Sequence, residues 1–146
     1  MTFTVDIHHH FMPDFYRTAT EHDGHSVGGV LPAPWSRANT LSFLDDAGID
    51  IAIASISAPG VHPGDDAEAL ALARRCNDYL AEMVWDRPDR FGGFAILPLP
   101  DVGAALGELA RALDDLRLDG VVLLTNALGH YLGEPLYRWA SIWHEF

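Results

Sequence analysis

The residues of this chain with the clearest capacity for chemistry are three consecutive histidines, His8, His9 and His10, at the end of an apolar segment. Side chains alternate between the two faces of a strand, so Asp6, His8 and His10 are expected on one face. Ile7 and His9 then take the other face. At a rise of about 3.3 Å per residue, His8 and His10 lie about 6.6 Å apart along the strand. Two imidazoles that lean together can then bind one divalent metal, with bonds of about 2.0–2.1 Å.

Asp6 precedes this pair on the same predicted face, where its carboxylate would orient a ligand histidine from outside the metal's own coordination shell. Only a neutral imidazole binds a metal, so affinity should fall as the pH drops below about 6.5. Three other interpretations of the histidine run stay open. It could be a relic of a purification tag, a set of exposed histidines at a strand end, or a pH-sensitive cluster. Its position within an apolar strand, with no linker after it, argues against a tag.

The composition limits the classes of function. The chain has 146 residues, is 49% hydrophobic and carries a formal net charge of −12. Such a negative field repels phosphate backbones, so nucleic acid is not an expected partner. All nine basic residues are arginine, which excludes Schiff-base chemistry on a lysine. The single cysteine, Cys76, excludes an internal disulfide, and its helical surroundings predict a small buried apolar side chain rather than a nucleophile.

Length and hydropathy set the expected organisation. No apolar run approaches the roughly 18 residues of a membrane-spanning helix, and no basic segment precedes an apolar one at the N-terminus. The prediction is therefore no membrane partner and a cytoplasmic location. No linker divides the chain, so residues 1–146 are predicted to form a single domain.

Alternating apolar runs and amphipathic segments define the elements that must position the histidines. Strands are predicted at residues 3–7, 51–57, 91–97 and 120–125. Helices are predicted at 13–22, 40–47, 65–86 and 101–116, and from about 136, with irregular segments at 23–34 and 126–135. Asp65 followed by Glu68 has the spacing of a capping box, and Gly48 is expected to end a helix. Buried strands that alternate with helices predict a parallel sheet with right-handed crossovers.

Two architectures fit this order of elements: an open doubly wound sheet and part of a (β/α)₈ barrel. A dinucleotide-binding sheet needs a Gly-x-Gly-x-x-Gly turn after its first strand, and this chain has histidines, Phe11, Met12 and Pro13 there. Gly60 and Gly64 lie among prolines and lack the Gly-Lys-Ser/Thr ending of a phosphate-binding loop. The barrel is therefore the prediction.

Five segments of the chain resemble the amidohydrolase-related metal enzymes. They are residues 5–13 (VDIHHHFMP), 44–50 (LDDAGID), 57–62 (SAPGVH), 90–100 (RFGGFAILPLP) and 119–124 (DGVVLL). The resemblance is to the branch that contains aminocarboxymuconate-semialdehyde decarboxylase and the aromatic-acid decarboxylases. Segment 57–62 resembles a loop of the 6-methylsalicylate decarboxylase-like members. The motifs are specific to the family and not to one substrate.

The resemblance implies the N-terminal half of a (β/α)₈ barrel with one divalent metal, usually zinc, at the C-terminal mouth. Members carry out non-oxidative decarboxylation or hydrolysis of small, often aromatic, carboxylic acids. His8 and His10 would be the ligands from the first strand. The family takes a further histidine, an aspartate and the histidine that handles protons from strands five to eight. Because such barrels need about 250 residues and this chain supplies four strands, a truncated chain is expected, and no catalytic acid or base is assigned.

Four other polar residues are candidates for the mouth of the barrel, and a fifth, Arg37, is weighed and set aside. His62 follows the second strand and is expected either to line the mouth or to cap its turn. Asn126 follows the fourth strand, where it would contact substrate or form a turn. His130 and Tyr131 lie on the next loop. Arg37 has no convincing match to the family's carboxylate-binding arginine and is expected to be a solvated surface residue.

Three functions stay open from the sequence. The first is a metal-dependent decarboxylase or hydrolase of a small carboxylic acid. The second is a non-catalytic half-barrel remnant with a partial two-histidine metal site. The third is a half-barrel that pairs with a second copy, because an open four-stranded sheet leaves two edges and an apolar face unsatisfied. Such a homo-oligomer would place two His8/His10 pairs in one mouth.

Overall fold

A computed structural model describes residues 2–20 and 34–131 of the chain. The predicted helix from residue 136 lies outside the described residues, as does nearly all of the irregular segment 23–34. Within the described ranges, no helix combines the length and the apolar character needed to cross a membrane.

The sheet has four parallel strands in the spatial order β1-β2-β3-β4. The strands are β1 (Val5–His10), β2 (Ile51–Ser55), β3 (Phe91–Ile96) and β4 (Gly120–Val122). The helices are α1 (Asp14–Thr20), α2 (Arg37–Ala47), α3 (Asp66–Asp86) and α4 (Val102–Ala110). The predicted alternation of parallel strands and helices is confirmed.

The strand bounds differ from the predicted ones because apolar sequence continues past the end of backbone pairing. Ile56 and Leu97 are buried although the strands before them have ended. The first strand differs in the opposite sense. β1 continues beyond its predicted end at residue 7 and runs to His10, so the three histidines lie inside the strand. Two departures follow the fourth helix: a π-helical turn at Arg111–Asp115, and a short antiparallel hairpin of β5 (Asn126–Ala127) and β6 (His130–Tyr131) where irregular chain was predicted.

The helix starts follow from capping side chains. Asp65 accepts a hydrogen bond of 3.0 Å from the Glu68 N–H, which confirms the predicted start of α3. α2 begins at Arg37 rather than at residue 40, because Ser36 accepts from the N–H of Asn39. Gly48 ends α2 with a φ of 67°, a conformation that glycine adopts without strain.

Small side chains let the helices pack closely on one face of the sheet. Ala52, Ala54 and Ala95 are fully buried there. They belong to one core cluster with larger side chains from the helices, including Leu44, Leu80 and Met83. The opposite face of the sheet borders a cleft.

A buried polar network joins α3, α4 and the end of β3. The Asn77 side chain donates to the Ile96 carbonyl (3.0 Å) and accepts from the Ile96 N–H (2.9 Å). Asn77 also donates to Glu108 at 2.7 Å, and the Glu108 side chain is fully buried. Arg111 donates to both oxygens of this carboxylate, at 2.9 and 2.7 Å, and Arg74 donates at 3.3 Å. Hydrophobic periodicity does not indicate this network, because it assigns Asn77 and Glu108 to polar positions.

Cys76 is fully buried in the core, as the sequence predicted, and we expect its thiol to be unreactive in the folded chain. Burial raises the pKa of Cys76 to about 12, so the reactive thiolate is scarce near neutral pH. Labelling by a disulfide reagent should be at least roughly tenfold slower in buffer than in concentrated urea. Equal labelling rates under the two conditions would contradict this assignment.

Candidate metal centre

A β-bulge in β1 decides where the histidines point. Asp6 pairs with Ala52, and His9 pairs with Ala54, so β1 holds one more residue than β2 over this interval. Paired residues on neighbouring strands share a face, which places Asp6 and His9 on the helix-covered side with the buried alanines. The His9 ring lies 6.2 Å from that of Phe43 on α2, in agreement with this placement.

Because of the bulge, the side chains of β1 are divided between the two faces differently from the prediction. Ile7, His8 and His10 line the cleft, whereas Asp6 and His9 contact each other. Unbroken alternation, on which the prediction depends, would place Asp6 with His8 and His10. One extra residue reverses the alternation from that point onward, so the carboxylate lies on the other side of the strand.

His8 and His10 meet ring to ring at the cleft. Their Nε2 atoms are 3.1 Å apart, and their ring centroids are 4.7 Å apart. Two nitrogens that bind one metal tetrahedrally, at about 2.0–2.1 Å each, are separated by about 3.3–3.4 Å. The pair therefore fits two positions in the shell of a single divalent ion.

A backbone carbonyl orients the His10 ring. His10 Nδ1 lies 3.3 Å from the Ser55 carbonyl oxygen, which can only accept, so the proton is on Nδ1 and the Nε2 lone pair faces His8. Burial lowers the pKa of His10 below its ordinary value, which favours the neutral, metal-binding form. Ser55 is thus an orienting partner that the sequence did not single out, since it acts through its backbone.

The Asp6 carboxylate contacts the strand itself. It accepts from the backbone N–H of His8 at 3.0 Å, and its other oxygen accepts from His9 Nδ1 at 3.1 Å. The bond from the His8 N–H holds the pKa of Asp6 below its ordinary value. The prediction that Asp6 bonds a ligand imidazole is therefore corrected for the described contacts: the bulge turns it toward the ring of His9.

The cleft has a volume of about 830 Å³ and lies at the carboxyl ends of the strands. Its walls are largely apolar and include Ile56, Phe94, Ile96, Val121 and Leu123, while His8, His10 and Ser57 are among its polar positions. The carboxyl ends of parallel strands are where barrel enzymes place reacting groups. An apolar cleft with a few polar groups at one rim suits a small molecule that has an apolar body.

His62 and Asn126 both line the cleft, and both hold turns. His62 Nε2 lies 2.8 Å from an Asp66 oxygen, and its Nδ1 accepts from the Gly64 N–H at 3.2 Å, so both ring nitrogens are engaged. The Asn126 side-chain oxygen accepts from the Gly129 N–H at 3.3 Å. Each residue therefore lines the cleft and also stabilises a turn, the two roles that the sequence analysis gave as alternatives.

Arg37 lies away from the cleft, and only 29% of its side chain is exposed, so the prediction of a solvated surface residue is corrected. It donates to Asp86 at 2.8 Å, and its guanidinium lies 4.4 Å from the centre of the Tyr79 ring. It is absent from the described residues that line the cleft. Among residues 2–20 and 34–131 no group of three His, Cys, Asp or Glu side chains that could hold a metal is found, so the described part of the site offers the two histidines.

Comparison with known proteins identifies the class to which this arrangement belongs. The amidohydrolase family model matches residues 5–144, and the chain belongs to that family. Within it, the chain is 37% identical over 146 residues to a 6-methylsalicylic acid decarboxylase of Aspergillus aculeatus, covering 94% of this chain and 44% of the relative. The predicted family and its aromatic-acid decarboxylase branch are confirmed.

Solved structures agree with the sequence comparison. A 2,6-dihydroxybenzoate decarboxylase with bound 2,6-dihydroxybenzoate superposes with a TM-score of 0.80 at 31% identity, covering 99% of this chain and 47% of the other. A Polaromonas dihydroxybenzoic acid decarboxylase with bound manganese and 2-nitroresorcinol gives a TM-score of 0.81 at 26% identity, over 99% and 46%. The chain spans less than half the length of these relatives, and its four strands form an α/β half-barrel. The predicted fold class is confirmed.

Proposed function

We propose that this chain supplies the first-strand half of the metal site, and one wall of the substrate cleft, of a metal-dependent decarboxylase for a small aromatic carboxylic acid. The observation that carries the proposal is the 3.1 Å separation of the His8 and His10 Nε2 atoms at the rim of an apolar cleft. When bound, the divalent metal supplies positive charge that polarises the substrate or lowers the pKa of a bound water. His8 and His10 would hold it.

The described side chains support a binding site for an aromatic acid. Phe94 and Val122, which lie on the cleft face of neighbouring strands, present apolar surface that can cover a ring and exclude water. The His8/His10 pair gives the same cleft a polar rim toward which a carboxylate or phenolic oxygen can turn. Dihydroxybenzoate, bound in one of the similar structures, has this division between an apolar ring and polar substituents. The names of the relatives favour decarboxylation over hydrolysis.

The metal is proposed to be Zn²⁺ or Mn²⁺. Imidazole ligands suit zinc, and zinc binds nitrogen ligands more tightly than manganese in the general order of divalent metals. Manganese is the ion in the similar Polaromonas structure. Both ions therefore belong in the experiment.

The test is metal-dependent binding of an aromatic acid to the chain. We expect 2,6-dihydroxybenzoate and 6-methylsalicylic acid to bind more tightly when Zn²⁺ or Mn²⁺ is present, and to quench tryptophan fluorescence or release heat on titration. Benzoate lacking the hydroxyl groups is the matched control ligand. Binding that is unchanged by metal, or absent for all three acids, would contradict the proposal. Release of CO₂ in the same samples reports whether the chain catalyses the reaction alone.

Assembly is a second candidate, favoured by the outer strand of the sheet. In the described part of the chain β1 pairs with β2 alone, and its Val5 and Ile7 side chains are 43% and 71% exposed. Phe3, just before the strand, is 67% exposed. Such an apolar edge favours pairing with a second copy.

Light scattering should then give twice the chain mass of 16.0 kDa. Phe3→Asp should restore the single-chain mass, because it places a charge at the apolar edge. The same change at exposed Trp85 on α3 should leave the doubled mass intact. A single-chain mass for the unaltered protein would contradict assembly.

A further inference from the structure

One carboxylate accepts hydrogen bonds within the bulge of β1, on the side of the strand away from the cleft. Asp6, at the start of the bulge, accepts from the His8 N–H at 3.0 Å, and its second oxygen accepts from His9 Nδ1 at 3.1 Å. His8 lies in the bulged interval between the residues that pair with Ala52 and Ala54. Such an interval leaves one residue of a ladder without its regular partner, and here the Asp6 oxygen accepts from the His8 backbone.

Regular strand geometry alone does not fix the orientation of the two ligand rings, which can share a metal only if they lean together. Side chains two residues apart stand about 6.6 Å from each other along a strand and point the same way. In this chain the ring centroids of His8 and His10 are 4.7 Å apart, with the rings at 75° to one another. A bulge re-aims side chains through its local twist, and His8 is the ligand that lies in the bulge.

We propose that Asp6 is a positioning residue for the metal site: it fixes the bulge that turns the His8 imidazole toward that of His10. The role passes through the backbone of His8, and the ring of His9 holds the second carboxylate oxygen in place. Asp6 therefore does not touch the metal or the substrate. As a role in metal binding, this inference rests on the proposed function; as a statement about ring orientation, it stands on the contacts of Asp6 alone.

The experiment compares three variants of the whole chain. Asp6→Ala removes both contacts. Asp6→Asn keeps an oxygen that can accept from the His8 N–H and an amide that can donate to an unprotonated His9 Nδ1. Asp50→Ala is the matched control, because Asp50 accepts from the Thr4 N–H at 2.7 Å, a carboxylate-to-backbone bond to the same segment but away from the histidines. Urea unfolding of each variant verifies that it folds.

Two readouts are made on each variant. The first, with no metal added, is the NMR cross-relaxation between the ring protons of His8 and His10, which reports their proximity directly. The second is the affinity for Co²⁺, with the visible spectrum of the bound ion as a signature of its ligand geometry. Asp6→Ala should lose the ring-to-ring signal, bind Co²⁺ about 10–100-fold more weakly and change its spectrum. Asp6→Asn and Asp50→Ala should stay within about threefold of the unaltered chain, well inside the loss typical of an orienting partner.

The outcomes distinguish the positioning role of Asp6 from the proposed metal function. A ring-to-ring signal that survives in Asp6→Ala, or that is missing from the unaltered chain, overturns the positioning role. Equal losses in Asp6→Ala and Asp50→Ala also overturn it, because they indicate a general effect on the strand. If the unaltered chain binds no Co²⁺ while Asp6→Ala alone loses the ring-to-ring signal, the orienting role of Asp6 is upheld and the proposed metal function fails.

Discussion

Replacing His10 by alanine is expected to abolish binding of a divalent metal by this chain, with a loss of affinity of at least about 100-fold. Outer partners of metal ligands typically contribute about 10–100-fold, and His10 is a direct ligand in the proposed site. The loss should be large because the His10 ring is already oriented for metal binding. Its proton is held on Nδ1 by the Ser55 carbonyl, and its Nε2 lies 3.1 Å from that of His8.

Calorimetric titration with Zn²⁺ measures this loss, and His62→Ala is the control. His62 lines the same cleft, but both of its ring nitrogens are engaged, by Asp66 and by the Gly64 N–H. His62→Ala should therefore leave the affinity for Zn²⁺ within about threefold, far from the effect of losing a ligand. If the two variants lose affinity equally, the metal is bound elsewhere, and the assignment of His8 and His10 fails.

Replacing Glu108 by alanine is expected to lower the free energy of unfolding by about 3 kcal/mol, at the lower end of the range for breaking a buried ion pair. The Glu108 side chain is fully buried, and its carboxylate accepts from Asn77, Arg74 and Arg111. Its removal leaves the Asn77 amide and the Arg111 guanidinium without this acceptor. Arg74 and Arg111 retain 54% and 24% side-chain exposure, so water can replace part of what they lose.

Urea unfolding measures this value, provided that the slope of the free energy of unfolding against urea concentration is the same for the variant and the unaltered chain. Glu108→Gln keeps the shape and one acceptor oxygen, and should lose about 1.5–3 kcal/mol, the contribution of hydrogen bonds to a charged group. Glu82→Ala is the surface control, because Glu82 is 66% exposed and lies 3.8 Å from Arg37. It should change the free energy of unfolding by less than about 0.5 kcal/mol. A similar loss in all three variants would mean that burial of Glu108 has no special part in stability.

Local sequence patterns predicted much of this protein. The first strand, the capping Asp65 and the family resemblance all follow from residues close together in the chain. Their physical basis is local: side-chain alternation along a strand, a cap that bonds a backbone N–H three residues on, and apolar steps along a helix. The burial of Cys76 follows in the same way from the apolar stripe of α3, and the structure confirms it.

Pairing between strands decided the geometry of the candidate site. Alternation within β1 could not show the bulge, because a bulge is defined by the register against β2. The backbone role of Ser55 and the buried network of Asn77 and Glu108 depend likewise on residues far apart in sequence. The sequence alone determined which side chains can bind a metal and which family the chain resembles. Only the tertiary structure decided which way those side chains point, because one extra residue in a strand moves a carboxylate from one face to the other.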